Sequence, residues 1–124
     1  MLLSKLYPDI INARFTQPID SSFNQSSRDL AKILELLFGS DFQKVDPIEH
    51  LNYKYLISID GNTCAWERVP WIMLSNSILL KQETNKIEWF YKALKPYVHY
   101  VPVNKSLTNI FEQIQWMKEN DPLI

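Results

Sequence analysis

Glycine is scarce in this sequence, with two among 124 residues, and there is a single cysteine, Cys64. So few glycines argue against a glycine-rich phosphate loop, in which several residues without a Cβ let the backbone approach the ligand. One cysteine excludes an intrachain disulfide and a cysteine-based zinc cluster, and it fits a reducing compartment. An excess of either charge is also missing: 13 basic side chains face 14 acidic ones, for a net charge of −1. Such a balance leaves no broad positive footprint for nucleic acid or an anionic membrane, so any phosphate binding must be local. Long apolar runs are absent as well. Met1-Leu2-Leu3 gives way at once to Ser4-Lys5 and Pro8-Asp9, too short for a signal-peptide core, and no stretch approaches a membrane span. The chain is therefore expected to be soluble and cytoplasmic. His50 and His99, the only histidines, lack a second ligand at metal spacing, so no metal is expected.

What is present is ordinary globular composition, 46% hydrophobic and 22% charged, in a length that suits one domain. Residues 1–52 read as a loop-rich arm with one amphipathic helix, part of the same domain as the rest. In that helix Leu30, Ile33, Leu34 and Leu37 form a one-sided stripe, Ser26 and Asp29 resemble a capping box, and Gly39 is placed to end it. A polar connection around Asp46-Pro47 follows.

From residue 53 onward the pattern becomes β-α-β-α-β-α. Tyr55 to Ile59 is a short apolar strand ending at Asp60-Gly61-Asn62. Residues 65–75 read as a helix in which Pro70 must lie in the first turn or produce a kink. Ser77 to Lys81 is a second strand, Ile87 to Leu94 a short aromatic-rich helix, and Val98 to Val103 a third strand. The last helix carries Leu107, Ile110, Phe111, Ile114 and Met117 on one face, with Ser106 as its N-cap. This order predicts an α/β fold, a Rossmann-like parallel sheet with flanking helices. Ligands of such sheets collect beyond the carboxyl ends of the strands. That rim comprises Asp60 to Thr63, Lys81 to Glu83 and Asn104 to Ser106.

Candidate chemistry follows from that rim. Gly61 permits a positive φ or close backbone approach, and the next helix N-terminus offers free N–H groups to a phosphate. Arg68 could reach back to a pyrophosphate with a bidentate contact; solvation or pairing with an acid is the competing reading. Lys81 ends the second strand. Glu88, opening the next helix, suits a ribose diol or a dipole-favoured pairing with Lys92. Of the consecutive Trp89, Phe90 and Tyr91, at least one must be exposed or line a cleft, with the other two in the core. Cys64 and His99 read as structural, and Ser75 and Ser77 lack a nucleophile-elbow pattern.

Several of these segments, in order, resemble one family. Lys54-Tyr55-Leu56-Ile57-Ser58-Ile59-Asp60-Gly61 with Arg68-Val69-Pro70, then Leu80-Lys81-Gln82, Glu88-Trp89-Phe90-Tyr91, Leu94 to Val103 and Trp116 to Asp121 are similar to glycosyltransferase family 90. That family includes capsule-associated and lipopolysaccharide-modifying enzymes and the protein O-glucosyltransferases. The resemblance implies the C-terminal, donor-binding half of a two-domain GT-B enzyme. Such an enzyme transfers a sugar from a UDP-sugar to a hydroxyl of a glycan, lipopolysaccharide or protein, with inversion, and needs no tightly bound cofactor.

The resemblance further implies a donor site built from Gly61, Asn62, Thr63, Cys64, Ala65, Arg68, Lys81 and Glu88, with Glu67 placing a negative charge beside Arg68. The acceptor half and its acidic base precede the matched segment, so no catalytic residue is assigned. The chain is expected to be truncated, or completed by a separate chain or a homodimer through an exposed interdomain face. The alternative is a non-catalytic α/β interaction module that uses exposed aromatics for a protein partner.

Overall fold

Three short apolar runs pair into a parallel sheet. The computed structural model describes residues 6–12, 29, 32–33, 45–61, 65 and 67–121. The chain divides into two compact units, Met1–Asp46 and Pro47–Ile124. In the first, a turn at Pro8 to Ile10 is closed by the N–H groups of Ile10 and Ile11 on the Tyr7 carbonyl. Asp29, Lys32 and Ile33 are helical, as the apolar spacing predicts; Ser26, Leu30, Leu34, Leu37 and Gly39 lie outside the described residues.

The second unit begins with a four-residue helix, α1 (Pro47–His50), where the sequence suggested only a polar connection. Proline suits this first helical position because its missing N–H would have no partner there and its φ is already helical. Next come β1 (Tyr55–Ser58), α2 (Arg68–Met73), β2 (Ile78–Gln82), a 3-10 turn (Tyr91–Ala93), β3 (Val101–Val103) and α3 (Ile110–Asn120). The sheet order is β1-β2-β3, all parallel. Tyr55 pairs with Ile78 through Ser58 with Lys81, and Leu80 pairs with Val101 through Gln82 with Val103. Pro102 is tolerated because β3 is an edge strand, where a missing N–H breaks no ladder on the outer side.

Because parallel partners share a face, Leu56, Leu79, Ser58 and Lys81 point to one side of the sheet. There Leu79 forms a buried core with Val69 and Ile72 of α2, packed by Leu56, Trp71, Phe90, Tyr91, Leu94 and Tyr100. Helix α3 lies against β3 and buries Ile110, Gln113 and Met117. Among the described residues no helix is long and apolar enough to cross a membrane.

Four expectations about element limits are corrected. The helix of residues 65–75 is only Arg68–Met73, with Pro70 in its first turn and no kink required. The helix of Ile87 to Leu94 does not form: Tyr91, Ala93 and Leu94 each donate to the carbonyl three residues back. This tighter winding brings Phe90, Tyr91 and Leu94 onto the Leu79 core and stops where Lys95 precedes Pro96, a position that disfavours α geometry. The third strand is shortened to Val101–Val103. Lys95 to Tyr100 instead form a turn in which Tyr97 takes φ 59° and its N–H donates to the Tyr100 carbonyl at 2.7 Å. That strained backbone is held from outside: the Tyr97 ring packs on Trp116 at 4.9 Å and its hydroxyl accepts from Gln113 at 3.1 Å. Finally, α3 starts at Ile110, so Ser106 is not its N-cap. Asn104 organises the preceding turn, its Oδ1 accepting from the Thr108 N–H and its Nδ2 donating to the Thr108 hydroxyl.

Candidate functional site

The carboxyl ends of the three strands are tied together by one side chain. Gln82, the last residue of β2, accepts the Asp60 N–H on its Oε1 at 3.1 Å and donates its Nε2 to the Lys105 carbonyl at 2.8 Å. It therefore bridges the segments that leave β1 and β3, while the Glu83 N–H donates to the Val103 carbonyl at 2.7 Å. Of the three segments named from the sequence, Asp60, Gln82 and Lys105 do meet at one rim. Asp60 is its second organiser: Oδ2 accepts from the Thr84 hydroxyl at 2.5 Å and Oδ1 from the Ala65 N–H at 3.3 Å. The Lys86 ammonium donates to the Gly61 carbonyl, and the Thr84 hydroxyl accepts the Lys86 N–H at 3.2 Å.

Around this rim the expected site residues fall into different situations. Gly61 has no left-handed backbone, and among the described residues nothing beyond its chain neighbours lies within 4 Å of where a Cβ would stand. The reason for a glycine is thus not backbone strain; the space beside it is open to an approaching group. Asn62, Thr63 and Cys64 lie outside the described residues. The Ala65 N–H is engaged by Asp60 and the Arg68 N–H by the Ala65 carbonyl at 3.2 Å. The six-residue α2, with Pro70 inside it, therefore does not present the free row of N–H groups that the sequence suggested. Among the described residues, exposed Arg68 makes one long side-chain hydrogen bond, 3.5 Å from Nη1 to the Ile59 carbonyl, which leaves its guanidinium beside the end of β1. Glu88 opens no helix, and among the described residues no hydrogen bond or ion pair engages its carboxylate, Lys92 included.

Lys81 differs from all of these. It is 7% exposed, with Nζ 4.2 Å from the centre of the Tyr91 ring and 5.8 Å from that of Tyr100. It lines a half-enclosed cleft of about 170 Å³ together with Glu83, Thr84, Lys86, Ile87, Tyr91, Leu94 and Tyr100. Burial, and then the nearby Glu83 carboxylate, push the Tyr100 phenol above its ordinary value. Asp60, Gln82, Thr84 and Lys86 were not picked out as site residues from the sequence. Their signal was visible only as position: each lies at or just beyond the end of a strand, where polar side chains reach across to the neighbouring strand end.

The aromatic run behaves as its spacing requires: Trp89 is 88% exposed, while Phe90 and Tyr91 pack on the core. His99 is structural, its Nδ1 accepting the Lys95 N–H at 2.9 Å. Ser75 and Ser77 are turn residues bonded to the Ile72 and Tyr53 carbonyls.

The family model for glycosyl transferase family 90 matches residues 1–123. The chain belongs to glycosyl transferase family 90. It is 39% identical over 121 residues to protein O-glucosyltransferase 3 of Mus musculus, covering 98% of this chain and 22% of that relative. Over 87 residues it is 36% identical to protein O-glucosyltransferase 2 of Danio rerio, covering 70% of this chain and 17% of the relative. Against protein O-glucosyltransferase 1 of Homo sapiens it is 32% identical over 121 residues, 98% and 28% of the two chains. The family 90 chain described here thus spans less than a third of the length of these relatives.

Proposed function

We propose that residues 47–124 are the donor-binding unit of a glycosyltransferase, holding a UDP-sugar at the carboxyl ends of β1, β2 and β3 for transfer to a hydroxyl acceptor. One observation carries this reading: in a family 90 chain, Gln82 draws all three strand ends into one rim flanked by the Arg68 guanidinium, the place where open parallel sheets bind ligands. The names of the relatives favour glucose as the sugar and a protein hydroxyl as the acceptor.

In this reading Arg68 pairs with the donor diphosphate, a bidentate, charge-assisted contact that strengthens as the leaving group gains charge. The unengaged Glu88 carboxylate accepts from a ribose hydroxyl, and the open side of Gly61 admits the phosphate. Inverting transfer also needs a base on the acceptor hydroxyl. That base is assigned to a separate acceptor-binding half, whether on the same polypeptide or another.

The test is thermal denaturation with UDP and UDP-glucose, on the wild type and on Arg68→Ala. Saturation at 100 times Kd adds about 2.7 kcal/mol, readily seen as a raised midpoint. The absence of any shift with either nucleotide rejects the donor reading. A second reading, a non-catalytic module docking a protein partner, draws on the exposure of Trp89 and Ile87; a nucleotide-insensitive midpoint is what that reading requires.

A further inference from the structure

The turn between Leu94 and Tyr100 is closed three times on one residue. The Lys95 carbonyl accepts the Val98 N–H at 3.2 Å and the His99 N–H at 3.0 Å, and the Lys95 N–H donates to His99 Nδ1 at 2.9 Å. The last of these bonds fixes the state of the imidazole. A backbone N–H can only donate, so Nδ1 must present a lone pair and the neutral ring must carry its proton on Nε2. Protonation at Nδ1 sets N–H against N–H, breaks the bond and leaves the Lys95 donor without its partner. Nothing around the ring offsets a positive charge. No carboxylate pairs with His99 among the described residues. The charged side chains of its own turn and of the 3-10 turn before it are both cations, Lys95 and Lys92. Helix α3 meets the turn through Trp116 and Gln113, which are uncharged. Its Glu112, Lys118 and Glu119 are exposed, and Glu119 accepts from Gln115. The other titratable neighbours, Tyr97 and Tyr100, are phenols, which carry no charge at neutral or acid pH.

We propose that His99 is a pH-sensitive latch: neutral, it holds the turn of Lys95 to His99 closed; protonated, it releases the turn and loosens the wall of the cleft at the strand ends. The closed turn is under strain. Tyr97 lies within it at φ 59°, a left-handed backbone that a residue other than glycine keeps only while its surroundings hold it. Opening reaches the cleft because the residues on either side of the turn are cleft walls. Leu94 precedes Lys95, and Tyr100 follows His99 and accepts the Tyr97 N–H on its carbonyl at 2.7 Å. The direction follows from proton counting: the closed turn excludes a proton that the open turn accepts, so falling pH favours the open form. The change falls in the range where an imidazole ordinarily titrates, around pH 6.5. The latch does not depend on what occupies the cleft, so it stands or falls separately from the donor site.

Amide hydrogen exchange followed by NMR at about pH 7.5 and about pH 5 tests the latch, with rates corrected for the intrinsic effect of pH. The Lys95 amide is expected to lose at least about fivefold of its protection at the lower pH. The Tyr100 ring signals are expected to shift with the same midpoint as the His99 imidazole. His99→Asn puts an amide oxygen, which accepts at any pH, in place of Nδ1, and its Lys95 protection should be the same at both pH values. His99→Ala should show the low protection at both. Constant Lys95 protection in the wild type overturns the latch. So does an equal loss in His99→Asn, which assigns the effect to another group such as His50, packed against Trp71. Tyr100 signals that ignore the His99 titration overturn the connection to the cleft. Should the variants not fold, nitrogen chemical shifts of the wild-type imidazole at neutral pH decide: a proton on Nε2 alone is required, and one on Nδ1 overturns the proposal.

Discussion

Gln82 and Asp60 are hydrogen-bonded across the carboxyl ends of adjacent strands, the Asp60 N–H donating to Gln82 Oε1 at 3.1 Å. The same glutamine continues to the Lys105 carbonyl, so one buried amide connects the three exits of the sheet. Gln82→Leu keeps the volume and removes both bonds, leaving a part-buried N–H and a part-buried carbonyl without partners. The expected loss of stability is about 2–3 kcal/mol, measured by urea denaturation. A loss below about 0.5 kcal/mol would show that the rim does not depend on this bridge.

Arg68→Ala separates binding from folding. The side chain is exposed and its single hydrogen bond among the described residues is long, so stability should stay within about 0.5 kcal/mol of the wild type. Affinity for UDP should fall on the order of tenfold or more if the guanidinium pairs with the diphosphate. Titration calorimetry and denaturation on the same preparation measure the two effects together.

Gly61→Ala makes the complementary case. The added methyl meets open space and an ordinary backbone, so the unliganded protein should be unchanged or stabilised by about 0.4–1 kcal/mol through a less flexible unfolded chain. A donor phosphate passing close to Gly61 would meet that methyl, and UDP affinity should drop. Unaltered UDP affinity would remove Gly61 from the site.

Stability should decline on the alkaline side. The hydrogen bond to Asp121 and its negative charge hold the Lys54 ammonium above its ordinary value of 10.5, and burial followed by Glu83 holds the Tyr100 phenol above 10.0. Above about pH 10 the unfolded chain releases these protons while the folded chain retains them. The folded state then binds more protons, and its stability falls as pH rises through the two raised values. Denaturation midpoints between pH 8 and 11.5 should show this fall, and it should be shallower in Lys54→Met and in Tyr100→Phe.

Trp89→Ala and Met117→Ala contrast surface with core. Trp89 is 88% exposed and Met117 is 0% exposed. The first should change stability by less than about 0.5 kcal/mol and the second should cost about 2–5 kcal/mol. Equal effects would mean that Trp89 is covered in solution.

The pattern of the chain made much of the fold legible, because strands and amphipathic helices write their periods locally. The apolar runs at Tyr55, Ile78 and Val101 became parallel strands, and Ile110 and Met117 became the buried side of α3. Element ends were less legible, since they depend on partners. The Ile87 to Leu94 segment has a helix-compatible composition, but it must place Phe90, Tyr91 and Leu94 on the Leu79 core within the short path from β2 to β3, and a 3-10 turn does so. Val98 and His99 look like strand residues, but the contact of Tyr97 with Trp116 and Gln113 holds them in a turn.

The sequence by itself determined the class of fold and the family, since short motifs in a fixed order and local apolar periods need no tertiary information. Only the tertiary structure decided which residues organise the rim at the strand ends. Asp60, Gln82, Thr84 and Lys86 act through hydrogen bonds between residues 22 to 25 positions apart, which no local pattern encodes. Burial decided the rest: whether Lys81, Arg68 or Glu88 has unmet electrostatic demand depends on what packs around each side chain once the strands have paired.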